Sequence, residues 1–120
     1  MIDLRTLKEG DHVWCFKISF NLGSLYGTLA VGLIAELEKT EKEDEFRVIQ
    51  VKKGTSMKTG ITIKAGVWGS VSLAELFKDY DEGVQYWNSV VQNEIDRLTS
   101  NYEQAVKRVE GKKLKTKKDI

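Results

Sequence analysis

The feature that most constrains this chain is a helical stripe near its end. Asp79 and Glu82 have the D-x-x-E spacing that opens helices. Behind them Val84, Trp87, Val91, Ile95, Leu98, Tyr102, Ala105 and Val109 recur at steps of three and four residues. Only an α-helix gathers such positions onto one face. Glu103 and Lys107, four apart, fit its outer side, and Gly111 is placed to end it. A helix from about residue 80 to 110 is about 45 Å long at 1.5 Å per residue, longer than a small sheet can cover. Residues 84–95 are therefore expected to pack on the rest of the chain. Leu98, Tyr102, Ala105 and Val109 are expected to meet a partner, most economically a second copy, which makes the protein a homo-oligomer.

Upstream the periodicity changes to two. "HVWCFKI" (12–18) alternates as a strand, and "TLAVGLIAELEK" (28–39) places Leu29, Val31, Leu33, Ala35 and Leu37 on one face. "FRVIQVK" (46–52) is a third strand, in which adjacent Val48 and Ile49 signal a register defect. In "ITIKAGVW" (61–68) the residues Ile61, Ile63, Ala65 and Val67 share a face, and "GSVS" (69–72) is a short fifth strand. Ser72 and Glu75 then have capping-box spacing ahead of a helical turn or two in "LAELF". In "SFNLGSLYGTLAVGL" (19–33) the glycines Gly23, Gly27 and Gly32 match neither the dinucleotide nor the P-loop spacing. Gly27 and Gly32 are instead expected to bend the long second strand.

At 120 residues, 41% apolar and 31% charged, the chain reads as one globular domain. Its opening, "MIDLRTLKEGD", is too polar for a signal peptide. No run approaches the roughly 18 apolar residues of a membrane span, so a cytoplasmic protein without a membrane partner is expected. Cys15 is the only cysteine and His12 the only histidine. Three apart on a strand, they project to opposite faces, so they form no nucleophile and base pair. An exposed run of carboxylates does not supply the cleft that raises one pKa for acid-base work. The expectation is a protein without enzymatic activity, cofactor or metal.

Charge is unevenly placed. From Lys107 onward seven basic residues stand against Glu110 and Asp119, a net +5, and the first 106 residues carry −4. "VKKGTSMKTGITIK" (51–64) gathers Lys52, Lys53, Lys58 and Lys64 with Thr55, Ser56 and Thr59, cations and hydroxyls suited to phosphate oxygens. The tail adds Lys112, Lys113 and Lys115. Tyr26 and Trp68, each beside a glycine, read either as stacking platforms for bases or as half-buried aromatics. Glu36, Glu38, Glu41, Glu43, Asp44 and Glu45, against Lys39 and Lys42, read as a solvated hairpin tip. The leading expectation is a nucleic-acid-binding accessory protein using the basic loop and tail. The alternative is a modulator or inhibitor that docks its helix or acidic turn on a host protein. A third reading is a small-nucleotide pocket lined by Tyr26, Trp68 and the lysines.

Five short strands, the first entered through Gly10-Asp11 and the second long and bent, followed by a turn of helix, resemble an SH3-like barrel of the KOW or Tudor-like kind over residues 8–77. "VSLAELFKDYDEGVQYW" is also similar to small phage-encoded proteins that modify host machinery. The resemblance implies an α+β chain: a five-stranded antiparallel SH3-like barrel (1–78), a long amphipathic helix (79–111) and a basic disordered tail (112–120).

Overall fold

The computed structural model describes residues 2–20, 29–54 and 57–113. Strands β1 (His12–Phe20), β2 (Leu29–Lys39), β3 (Glu45–Lys53) and β4 (Thr62–Lys64) run as an antiparallel meander. β5 (Leu76–Phe77) returns to pair with β1, giving the order β4-β3-β2-β1-β5. The helix α1 occupies Tyr80–Glu110, as the spacing predicts. Its first turn is capped by the Asp79 carboxylate, which accepts from the Asp81 N–H at 3.1 Å. The Ser72/Glu75 capping box is also formed, around the single 3-10 turn Leu73–Glu75.

The α+β class is as expected, but the sheet is not closed into a barrel. Among the described residues β4 pairs with β3 and β5 with β1, and these two outer strands do not meet. They are only three and two residues long. Gly66, at φ 132°, takes a conformation that L side chains rarely adopt and turns the chain out of the sheet. The fourth strand therefore stops well short of residue 68. Ile63 and Ala65 are buried as the alternation requires, whereas Ile61 and Val67 from the same expected face are exposed. No fifth strand forms at 69–72, where Val71 makes one isolated bridge to Ala65.

The two faces of the sheet are both used. β1 against β2 pairs Val13 with Leu37 and Cys15 with Ala35, and these join Leu33, Phe46, Val48, Ile63, Val71 and Leu76 in one apolar core. The opposite face carries Trp14, Phe16 and Phe77 and receives the first turns of α1. Phe16 is fully buried there, edge-on to Phe77 and Trp87 and tilted against Tyr80.

Two glycines set the closeness of this seam. A Cβ on Gly83 would lie within 3.0 Å of three Phe16 ring atoms, and one on Gly32 within 3.0 Å of three Trp87 indole atoms. Gly32 itself is paired regularly with Ile18, and its missing side chain makes room for an indole. Gly23 and Gly27 lie outside the described residues. β2 has an extra residue against β1, Ala30, and two further irregularities lie on β3. Its register with β2 leaves Ile49 and Lys52 as extra residues, two bulges that increase local twist, and the first is the defect forecast by the adjacent Val48 and Ile49. The turn at 40–45 is less solvated than its charges suggest. Lys39 is buried at its base, with Nζ donating to the Thr40 carbonyl at 2.8 Å and to that of Lys42.

Candidate functional site

The basic residues expected to act together are distributed over separate places. The bulge at Lys52 puts Lys52 and Lys53 on the same side of the sheet, at the rim of the helix seam. Lys52 Nζ stands 4.9 Å from the Trp14 ring centroid and 4.7 Å from that of Tyr80. Lys53 Nζ stands 5.1 Å from the Trp87 centroid. These are cation-π distances, so both ammonium groups are already engaged with the chain's own rings. Lys58 is exposed in the connection before β4, Lys64 is exposed on β4, and Lys112 and Lys113 are exposed beyond the helix. Thr55, Tyr26 and Lys115 lie outside the described residues.

Trp68 is not half-buried. It is 97% exposed, and Val67 beside it is 90% exposed. They form the tip of a loop whose base is held firmly. The Gly66 N–H donates to the Val71 carbonyl at 2.9 Å, the Gly69 N–H to that of Gly66 at 3.2 Å and the Val71 N–H to that of Lys64 at 3.4 Å. Lys17 Nζ reaches across from β1 to donate to the Ser70 carbonyl at 2.9 Å. Gly69 packs against the Lys64 and Ala65 backbone with no room for a Cβ. A hollow of about 350 Å³ beside the tip is lined by Asp44, Lys64 and residues 65–69. Strand alternation misplaces Val67, as it does Ile61; at the tip a local signal exists for Val67. The signal that could have found it is the bracket "GVWG", two apolar residues between turn-forming glycines.

The outer part of α1 is the second exposed apolar surface. Ile95, Tyr102 and Val109 are exposed at 49%, 71% and 69%, with Leu98 and Ala105 partly covered between them.

Groups of catalytic type are placed quietly. His12 Nδ1 lies 2.8 Å from Glu36 Oε1 in an exposed pair. A hollow of about 470 Å³ between the N-terminal segment and α1 holds Asp3, Lys78, Asp79 and Glu82. Asp3 is bound there by the Arg5 side chain and N–H, which hold its carboxyl below the usual range. Among the described residues no three His, Cys, Asp or Glu side chains are grouped to hold a metal ion, and no helix is long and apolar enough to cross a membrane.

Cys15 is fully buried, and burial, reinforced by Glu75, pushes its thiol up to about 12. The thiolate is the reactive form, so Cys15 in the native protein is expected to resist a thiol reagent such as Ellman's reagent at pH 8 and to react only on unfolding. The raised value also fixes a sign. Above the unfolded thiol's value of about 8.5 the unfolded chain loses its proton first, so this contribution to stability is full below that pH and is lost as pH rises toward 12. Rapid labelling of folded protein at pH 8 would contradict this placement.

Compared with protein-family models, with curated proteins and with solved structures, the chain matches none.

Proposed function

We propose that the protein is a non-enzymatic interaction module that docks on a protein partner through Val67 and Trp68. The observation that carries this reading is the exposure of both side chains at the tip of a braced loop. A tryptophan held almost wholly in water forgoes the burial that normally makes aromatics favourable in a fold. Tryptophan is also the residue type that most often anchors a protein interface, seated in a pocket of the partner. A base fixed by backbone hydrogen bonds lowers the ordering cost of binding. The strand order, with a 3-10 turn ahead of β5, supports reading the sheet as an SH3-like scaffold short of closure, with this loop projecting from it.

A second reading rests on Lys64, which lines the same hollow as Trp68. An aromatic face beside a cation suits a single-stranded nucleic acid. Asp44 lines that hollow too and opposes a phosphate there, and Lys52 and Lys53 are engaged elsewhere, which ranks this reading second.

A photo-crosslinking phenylalanine derivative in place of Trp68 separates the two in the native cell. The expected result is a covalent adduct with one protein species, absent when the same group replaces exposed Glu103. Adducts with nucleic acid alone would install the second reading, and none with either would remove the tip from recognition. Trp68→Ala should abolish the partner's binding while leaving the melting temperature nearly unchanged, as expected for an exposed position.

A further inference from the structure

Beyond the sheet, α1 continues with its own unpaired seam. Ile95, Leu98, Tyr102, Ala105 and Val109 fall at alternate spacings of three and four, the a and d positions of a heptad. Leu98, Asn101, Tyr102 and Ala105 enclose a hollow of about 190 Å³ on the helix surface. They are residues i, i+3, i+4 and i+7, the four that surround an incoming knob in coiled-coil packing.

We propose that this face is the interface of an antiparallel homodimer, with the two copies of α1 crossing at Ser100. In that alignment facing residue numbers add to about 200. Leu98 enters the partner's hollow beside the partner's Tyr102, Ile95 meets the partner's Ala105, and Val91 meets the partner's Val109. Every seam position from 91 to 109 then faces an apolar residue.

Charge decides between the two directions. Residues 104–113 carry Lys107, Arg108, Lys112 and Lys113 against Glu110, a net +3, and residues 87–96 carry Glu94 and Asp96, a net −2. The antiparallel alignment lays the first segment along the second, twice by symmetry. A parallel alignment sets the two +3 segments side by side, like charge against like charge, which costs stability. Glu94 is held by Arg97 within its own chain, so the attraction acts between segments and needs no exchange of that pair.

The alignment puts the two sheets at opposite ends. Ser100 is twenty residues from Tyr80, so the two helix starts stand about 60 Å apart at 1.5 Å per residue. The dimer would present two Val67–Trp68 tips, one on each sheet, a bivalent arrangement whose gain in binding depends on the spacing of the partner's sites.

The test uses the full chain in two measurements. Sedimentation equilibrium at tens of micromolar should give twice the 13.6 kDa chain mass, and Leu98→Lys with Tyr102→Lys should give a folded protein of single mass. The direction is read by a spin label on Glu110→Cys, with buried Cys15 left unlabelled. Pulsed dipolar spectroscopy should show about 30 Å, twenty residues of helix rise. A distance of about 10–15 Å, near one interhelical spacing of 8–10 Å plus the label arms, would overturn the antiparallel direction. A single-mass native protein without dipolar coupling would overturn the dimer itself.

Discussion

Replacing Gly83 with alanine is expected to destabilise the protein by about 1–3 kcal/mol, the usual range for forcing a side chain into a filled site. The direction is the opposite of the general rule. Within a helix, alanine is favoured over glycine by about 1 kcal/mol, and at an exposed turn of α1 the exchange would raise stability. At residue 83 the added methyl overlaps the Phe16 ring. Phe16 cannot swing away, because it is fully buried between β1 and the helix. Either the helix lifts from the sheet or the ring leaves its site. For a domain of about 100 residues each 1 kcal/mol moves the midpoint by roughly 4–8 °C, so a fall is expected in a thermal melt. A raised midpoint would mean that the helix does not approach the sheet this closely.

How legible this architecture was in the sequence depends on which interaction fixed each part. The helix was read to its ends because a heptad-like stripe, a carboxylate cap and a terminal glycine all act within a few residues of one another. β2 was read correctly on its core face, where Leu33, Ala35 and Leu37 are buried, because alternation is a local pattern. The misreadings came where a distant residue decided. Gly32 looks like a bend from its neighbours, and its role depends on Trp87, 55 positions later in the chain. Gly83, a glycine near the start of a helix, has a weak local signature, and its partner lies on β1. The fourth strand was extended over Ala65 to Trp68 because alternation continues through Gly66, whose backbone conformation breaks the pairing.

The candidate site was less legible for a related reason. A run of lysines in sequence suggests a common surface, yet consecutive strand residues normally point to opposite faces. Only the bulge at Lys52 brings Lys52 and Lys53 together, and there they cover aromatic rings. Lys58 and Lys64 follow other parts of the chain. The tip is half legible: Trp68 stands out by its glycine neighbour, while alternation places Val67 in a core that the chain has already left.

Phe16→Ala is expected to produce the largest loss, about 3–5 kcal/mol, the range for truncating a buried phenylalanine, and to act on one face of the sheet more than the other. Phe16 has ring contacts with Phe77, Tyr80 and Trp87, at centroid distances of 5.8, 5.7 and 6.4 Å. It stands apart from the core cluster on the opposite face. Removing it should free the first turns of α1 while Val13, Cys15, Leu37 and Phe46 keep their packing. Native-state hydrogen exchange is the discriminating measurement. In Phe16→Ala the amides of residues 83–91 should lose protection before those of β2 and β3. In Phe46→Ala, a truncation of the same size inside the core cluster, helix and strands should lose protection together. The two seam substitutions are also coupled, since the three atoms nearest the methyl of Gly83→Ala all belong to the ring that Phe16→Ala removes. In that background Gly83→Ala should stabilise by up to about 1 kcal/mol, the intrinsic helix preference alone, reversing its sign and giving a coupling at or above the upper end of the 0.5–3 kcal/mol seen for residues in contact. If Gly83→Ala remained as harmful without the Phe16 ring as with it, the close approach of helix and sheet at this point would be refuted.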